Sequence, residues 1–272
     1  MGIDKPAIVI WCGAASNQRA LAVKLSRKFN VAGIVIDEKK HAPVKKSISQ
    51  IASLLFDRLR FKTIYDGWKR LQEYYQSEFN AWPDVPILKV DNINSKDTSN
   101  FTLNLTPQLV VVSGTGLVKK ELVSIPVPRG VINLHTGLSP YVKGGPNCTN
   151  WCIANDEWHL VGNTIMFIST GIDSGNIIVS EAIDVRSADS LFESQKIVME
   201  HAHELYQRAI TYLLDNEPPY HSVPQETLGK GRLFLTKMWT SAERKKLLKN
   251  WRNRNNTQQL PSPPTVAFPS NQ

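Results

Sequence analysis

The sequence predicts an α/β fold in which a mostly parallel, twisted sheet is flanked by helices. Residues 7–12 and 31–36 are continuous apolar runs, and between them Leu21, Leu25 and Phe29 recur at helical spacing. Strand, turn, helix and strand in this order form the opening of a βαβ unit. Unbroken apolar strands are typical of a parallel sheet that is covered on both faces.

The α/β pattern is interrupted after the second strand by a stretch of mixed basic and apolar residues. Two apolar stripes at helical spacing predict two amphipathic helices there: Ile48, Ile51, Leu54 and Leu55, and then Trp68, Leu71, Tyr74 and Tyr75. We predict a helical insertion at about residues 41–85 that packs on the core. The amphipathic, basic character of these helices leaves docking on a membrane surface or on a partner open as the alternative.

The sheet pattern then resumes and completes one domain over residues 1–215. Its remaining elements are predicted as strands at 87–90, 100–103, 109–112 and 131–134, a hairpin of 162–168 with 176–185, and a long helix at 190–214. Residues 216–254 are basic and aromatic and predict a short C-terminal extension. The Pro- and Ser-rich residues 255–272 offer little to pack, so we predict a disordered tail there.

Composition narrows the class of protein. The 272 residues suit one large domain with a small appendage, and the net charge of +8 suits acidic partners such as phosphorylated metabolites. Three cysteines are too few for a disulfide framework, and Cys148 and Cys152 lack a second ligand pair, so we expect reduced thiols and no metal site. No apolar run approaches the ~20 residues of a membrane span and no signal peptide is evident, so we expect a cytoplasmic protein.

One candidate site lies at the end of the strand 131–134. Side chains alternate along a strand, so Asn133 and His135 point to the same side, at the carboxyl end where open α/β sheets bind ligands. Such a pair can donate hydrogen bonds to an oxygen that gains charge, and the histidine can also move a proton. A lone histidine at a strand end is more often structural, so the pair by itself is a weak signal.

The second candidate is Asp173, in the loop of the predicted hairpin. An aspartate flanked by Gly171 and Gly175 usually makes hydrogen bonds within its own turn. If the hairpin lies beside the strand 131–134, however, Asp173 can reach His135 and set its tautomer and its charge. A base oriented by a carboxylate is a recurring catalytic arrangement.

Four segments together resemble one enzyme family. They are "NLH" at 133–135, the "SPY" loop at 139–141 with Gly144, "TIMFISTGIDSGNII" at 164–178 and "SGTGLVKKELV" at 113–123. Jointly they are similar to the N10-formyltetrahydrofolate-dependent formyltransferases, which include glycinamide-ribonucleotide, methionyl-tRNA and amino-sugar transferases. The resemblance implies a Rossmann-like sheet, a catalytic trio of Asn133, His135 and Asp173, and N10-formyltetrahydrofolate as cosubstrate without a metal.

The resemblance also implies positions for the two substrates. The pterin ring would contact two loops, whose residues are Gly116, Leu117 and Val118, and Ser169, Thr170 and Gly171. The turn at 13–17 resembles the one with which glycinamide-ribonucleotide members bind a phosphate, although capping of the following helix explains its residues equally well. The candidate substrate-binding residues are Gly13, Ser16, Asn17, Tyr141, Lys143 and Gly144.

Three departures from the family pattern bear on the acceptor. Thr136-Gly137 stands where many members have a proline directly after the histidine. The helical insertion is absent from compact purine-pathway members. The region after 216 is too short for the C-terminal barrel of the tRNA enzymes. We therefore expect a small primary amine, phosphorylated or nucleotide-linked, with a nucleotide-linked amino sugar ahead of glycinamide ribonucleotide. We expect no DNA partner and no tRNA, and a homo-oligomer.

Two rival functions share these residues. A hydrolase would release formate from the same cosubstrate, with water in place of the amine. A non-catalytic protein would use the fold for ligand binding or docking, and replacing Asn133, His135 or Asp173 would then leave its function unchanged.

Overall fold

The computed structural model describes residues 6–39, 47–145, 147–258 and 260–269. Over these residues the strands are β1 Ala7–Gly13, β2 Asn30–Asp37, β3 Ile87–Val90, β4 Leu109–Ser113, β5 Val131–His135, β6 Val142–Gly144, β7 Gly162–Phe167, β8 Ile177–Ala182 and β9 Arg232–Phe234. The helices are α1 Ser16–Ser26, α2 Ile48–Arg60, α3 Lys62–Glu78, α4 Lys96–Asn104, α5 Lys120–Val123, α6 Cys148–Ala154, α7 Leu191–Asp215 and α8 Ser241–Asn253. In this part of the chain no helix is both long enough and apolar enough to cross a membrane.

A seven-stranded sheet forms the centre of the molecule, with strand order β3-β2-β1-β4-β5-β7-β8. The pairs from β3 to β5 are parallel, and the hairpin of β7 and β8 joins them antiparallel. His135 at the end of β5 faces Thr164 of β7 in the register. The prediction of a mostly parallel sheet flanked by helices is confirmed, and the hairpin lies beside the strand that carries the candidate residues.

Helix α7 fixes the two strands that lead to this site. Its Tyr206 is fully buried, and the hydroxyl accepts a hydrogen bond from the Val112 N–H at 2.7 Å. The same hydroxyl lies 2.9 Å from the Ile132 carbonyl. One side chain thereby connects the backbones of β4 and β5 just before both strands end. This fixes the position of their carboxyl ends relative to each other.

Residues 100–103, predicted as a strand, lie instead in helix α4. Ser95 caps this helix by accepting a hydrogen bond from the Thr98 N–H, and Thr102 is buried on it. The physical reason is topological, because β3 and β4 run in the same direction and parallel strands need a crossover connection.

The predicted helical insertion consists of two helices with different surroundings. In α3, Leu71 and Tyr75 are buried, and the Tyr75 hydroxyl donates to Glu200 of α7 at 2.8 Å. In α2 no residue is buried. The prediction of a packed helical pair therefore holds for α3 alone. The stretch 40–46, where the insertion was predicted to begin, lies outside the described residues.

The predicted disordered tail contacts the sheet in the part that the structure describes. The Ser180 N–H donates to the Val266 carbonyl at 2.8 Å, and the Val266 N–H donates to the Ser180 hydroxyl at 3.0 Å. Val266 is buried, and the Phe268 ring lies 5.3 Å from that of Tyr212. The expectation of disorder is corrected for these residues, because a few apolar side chains, one backbone–backbone hydrogen bond and one hydrogen bond to the Ser180 side chain order a segment of otherwise polar composition.

Candidate active site

A cleft of about 1080 Å³ opens at the carboxyl ends of β1, β4 and β5. Ligands bind at this edge of open α/β sheets because the loops after the strands diverge there. The cleft is bordered by α3, by the loops 114–118 and 168–173, and by residues 234–239 of the C-terminal extension. The insertion and the extension thus both contribute to its walls.

Asn133, His135 and Asp173 all line this cleft. The two strand residues stand on one face of β5, and the loop between β7 and β8 brings Asp173 over them. Nδ1 of His135 lies 3.4 Å from Oδ2 of Asp173, and both side chains are largely buried. The structure therefore brings together the three residues of the predicted catalytic trio, which the chain separates by up to forty positions.

Both nitrogens of the His135 ring face acceptors. Nε2 lies 3.0 Å from the Val142 carbonyl, while Nδ1 faces the Asp173 carboxylate. Burial is the largest single influence and lowers the pKa of His135, but the attraction of Asp173, the contacts with Cys148 and the hydrogen bond to the Val142 carbonyl all raise it and together outweigh burial. The net effect raises the pKa of His135 to about 10, so the ring is an imidazolium at neutral pH.

This charge predicts how the free energy of unfolding depends on pH. A pKa raised from 6.5 to about 10 means that the ion pair stabilises the native state fully below pH 6.5 and progressively less as the pH rises to about 10. The stabilisation lost is on the order of a few kcal/mol. Denaturant unfolding of the wild type and of Asp173→Asn should differ most near pH 6 and converge toward pH 10. A difference that stays constant with pH would contradict a charged His135.

Asp173 is held by Gly144, which the sequence analysis proposed as a substrate contact, and by Gln225, on which it placed no role. Its carboxylate accepts a hydrogen bond from the Gly144 N–H at 2.8 Å, and its backbone adopts a left-handed conformation with φ of 45°. The Gln225 amide donates at 2.8 Å to the carbonyls of both Asp173 and Gly175. Gln225 is buried in the C-terminal extension, so this extension fixes the loop that carries the carboxylate.

We expect Gln225→Ala to impair the site while the fold is retained. Without the two hydrogen bonds the loop can move Asp173 away from His135, and misplacement by about 1 Å costs up to about a hundredfold in rate. Steady-state kinetics should therefore show a tenfold to hundredfold fall in kcat, by the same estimate.

Gln207→Ala is the matched control, because the Gln207 amide donates only to the His203 carbonyl of its own helix among the described contacts. If the Gln225 variant keeps full activity, the extension has no part in positioning the loop.

The turn after His135 depends on a residue without a side chain. A Cβ atom at Gly137 would overlap with Nε2 of His135 and would lie 2.9 Å from the Val142 carbonyl oxygen. The Thr164 hydroxyl donates to the Gly137 carbonyl at 2.8 Å, which keeps this turn against β7. Gly137 therefore lets the backbone pass directly beneath the imidazole.

The two loops predicted to bind a cosubstrate face the same cleft. The Gly116 N–H donates to the buried Asp37 carboxylate at 2.7 Å, which orders the first loop, while Val118 is buried beneath it. Leu117 is 56% exposed and Ile172, in the second loop, is 41% exposed. Two exposed apolar side chains on opposite loops suit a flat ring. Ser169 and Gly171 line the cleft as well, and Thr170 is exposed next to them.

The turn predicted to bind a phosphate is covered by helix α3. The Ser16 N–H donates to Oε1 of Gln72 at 3.0 Å, and Nε2 of Gln72 donates to Oδ1 of Asn17 at 3.2 Å. Asn17 is buried, and the carboxylate of Asp37 follows on the strand next to Gly13. Gln72 thus occupies the Ser16 N–H and the side-chain oxygen of Asn17, while Gly13 and Asn17 line the cleft. A role of Ser16 and Asn17 in binding phosphate stays a prediction.

Of the other predicted acceptor-binding residues, one lines the cleft and two do not. Gly144 lines the cleft, whereas Tyr141 and Lys143 are not among its lining residues. The Tyr141 hydroxyl donates to the Pro264 carbonyl at 2.9 Å, so this side chain holds the C-terminal segment. Among the described residues, no group of three or more histidine, cysteine, aspartate or glutamate side chains is arranged to hold a metal ion.

Comparison with known proteins extends these observations. A methionyl-tRNA formyltransferase from Clostridium perfringens is 32% identical over 125 residues, which are 46% of this chain and 40% of that protein. The chain thus spans less than half of the length of the curated relative it matches.

Solved structures show the same fold at low identity. The glycinamide ribonucleotide transformylase 1 of Symbiobacterium toebii covers 81% of this chain and 94% of its own, with 15% identity and a TM-score of 0.54. WlaRD, a sugar 3N-formyl transferase solved with dTDP and 5-N-formyl-THF, covers 94% of this chain and 82% of its own, with 16% identity and a TM-score of 0.53.

A model of a protein family accounts for the greater part of the sequence. The match extends over residues 7–210, from the first strand through most of helix α7, and it includes all three residues of the predicted trio. The chain belongs to the formyl transferase family.

Proposed function

We propose that this protein transfers a formyl group from N10-formyltetrahydrofolate to a primary amine. The observation that carries the proposal is the pair of His135 and Asp173, 3.4 Å apart on the floor of the cleft, with Asn133 on the same strand face. The cosubstrate would supply the formyl carbon that the amine attacks.

Each residue of the trio has a role that its environment supports. The Asn133 amide and the cationic His135 ring would donate to the formyl oxygen, which gains charge as the amine adds to the carbon. The separation of 3.4 Å between His135 and Asp173 is long for a hydrogen bond, so Nδ1–H can be shared with a bound oxygen. Asp173 would take up the proton that the amine loses, directly or through water, and the proton would pass to N10 as the bond between N10 and the formyl carbon breaks, so that the formylated amine and tetrahydrofolate leave.

The loops fit a folate cosubstrate. The exposed side chains of Leu117 and Ile172 would cover the two faces of the ring, and the Gly116 backbone leaves space beside Asp37. Ser169, Thr170 and Gly171 would lie along its second side. These assignments follow from the family resemblance and from the position of both loops at the cleft.

Among acceptors we propose a nucleotide-linked amino sugar. Gln72 covers the turn at 13–17, and Asp37 is paired with Gly13 beside it, which disfavours the phosphate of glycinamide ribonucleotide at that place. Helix α3 and residues 234–239 widen the cleft on the other side, which suits an acceptor larger than that ribonucleotide. The sugar transferase structure also has counterparts for more of this chain than the transformylase does. Methionyl-tRNA is the second candidate, because the curated relative carries that name.

The test is turnover of N10-formyltetrahydrofolate by the purified protein, followed as release of tetrahydrofolate. We expect no turnover alone and turnover with one member of a panel of nucleotide-linked amino sugars. Glycinamide ribonucleotide and methionyl-tRNA are the comparison acceptors. Release of formate without any amine would identify a hydrolase instead, and bound cosubstrate without turnover under every condition would contradict formyl transfer.

A further inference from the structure

Helix α2 exposes nearly all of its apolar side chains to solvent. Among the large ones, Ile48 is 87% exposed, Leu59 74% and Phe56 65%. Its other exposed apolar residues are Ile51, Leu54 and Leu55. A surface of this kind on a single helix is uncommon, since soluble proteins seldom leave contiguous apolar patches uncovered.

The orientation of α2 is the inverse of an ordinary surface helix. At about 100° per residue, Ile48, Leu55 and Leu59 lie within about 40° of one another, and Asp57 lies about 180° from Ile48. Asp57 is the residue that faces the protein: it accepts hydrogen bonds from the Tyr65 hydroxyl at 2.7 Å and from the Arg244 guanidinium at 3.0 Å. The polar side of the helix is thus fixed to the body, and the apolar side points away from it.

The helix does not depend on burial of that side in order to form. Ser47 and Gln50 make a capping box at its first turn, in which each side chain bonds the other residue's backbone N–H. Its apolar face is therefore free to contact something else. The capping box stabilises the first turn of the helix, and the contacts of Asp57 with Tyr65 and Arg244 hold α2 in its orientation.

The surroundings of the apolar face are cationic. Arg58, Arg60 and Lys62 are exposed at its C-terminal end. In the sequence, residues 39–62 contain seven lysines or arginines and one acidic residue, Asp57, whose charge is met by Arg244. An apolar helix face bordered by cations is the pattern of helices that lie in the interface of an anionic bilayer.

We propose that α2 binds the surface of an anionic membrane through its exposed apolar face, which is defined by Ile48, Ile51, Leu55 and Leu59. A second copy of the chain is the less favourable occupant, because a two-fold contact through this face would bring the same cations of both copies together. Tyr65, which bonds to Asp57, also lines the cleft, so docking would place the cleft mouth close to the lipid. The proposal stands apart from the proposed function.

The test is flotation of the full chain with lipid vesicles. We expect the protein to float with vesicles of phosphatidylcholine and phosphatidylglycerol, to remain unbound with phosphatidylcholine alone, and to dissociate as salt is raised. The double variant Leu55→Ser, Leu59→Ser should bind at least about tenfold more weakly, because two apolar side chains are lost from the buried face. Leu103→Ser, the same type of substitution at one exposed position of α4, should bind like the wild type.

Circular dichroism and thermal unfolding would verify that both variants are folded. Absence of vesicle binding by the wild type at low salt would overturn the proposal, as would equal binding by the double variant. Light scattering on the same samples tests the alternative: a wild-type dimer that the double variant converts to a monomer, together with no vesicle binding, would make α2 a contact between two copies.

Discussion

Replacing His135 by glutamine is expected to lower kcat for the proposed formyl transfer by about a thousandfold or more. Glutamine keeps a hydrogen-bond donor at this position but has neither the positive charge nor the exchangeable proton of the imidazolium. The charge matters because, against the lowering effect of burial, Asp173, Cys148 and the Val142 carbonyl together raise the pKa of His135 to about 10, so the ring can stabilise a developing oxyanion throughout the neutral range. KM for the cosubstrate should change little, since the two loops that would hold the ring remain intact.

The matched control for this variant is His221→Gln, which makes the same change on an exposed histidine of the C-terminal extension. Single-turnover kinetics with the best acceptor would separate the chemical step from product release. If His135→Gln retains activity within about tenfold of the wild type, less than the loss expected on removal of a donor to the oxyanion, the histidine has only a structural role at the strand end.

The second large effect is expected from Gly137→Ala. The added methyl group overlaps with the His135 ring and presses on the Val142 carbonyl, to which that ring bonds. Relief of the overlap must move either the imidazole or β6, and we expect kcat to fall by about a hundredfold. Overpacking of this kind also lowers the free energy of unfolding by about 1–3 kcal/mol.

Gly145→Ala in the same loop isolates the effect of position from that of the substitution. A Cβ atom at Gly145 would have the Asn147 nitrogen as its nearest neighbour, 3.9 Å away, which is an ordinary van der Waals contact. Activity assays and denaturant unfolding of both variants give the comparison. Equal behaviour of the two alanine variants would show that the close passage beneath His135 has no bearing on the site.

The parts of this molecule that could be predicted from sequence are those with a local physical basis. Alternation along a strand is local, which is why Asn133 and His135 could be assigned to one face before the fold was known. Residues 101–103 are one aromatic, one β-branched and one aliphatic residue, which also suit a strand, and the need for a crossover between parallel strands favours the helix. The need for a crossover follows from the order of the strands in the sheet and cannot be predicted from these residues alone.

Contacts between distant segments could not be predicted from the sequence, because they too depend on the topology. Gln225 bonds to a carbonyl 52 positions earlier, and Gln72 to Asn17, 55 positions earlier. Neither the periodicity nor the spacing of the residues around a glutamine in a polar segment indicates such a partner. The outward orientation of α2 is similar, because its pattern predicts an apolar face and does not state which way that face points.

The C-terminal segment also has a consequence for how the protein can be handled. Strand β8 is last in the sheet order, and a bare edge strand offers its N–H and carbonyl groups to any other chain that arrives extended. The hydrogen bonds between Ser180 and Val266 take up part of that edge. Truncating the protein after Gln258 would therefore expose the edge of β8, which could then pair with other chains and aggregate. An affinity tag is better attached at the N-terminus.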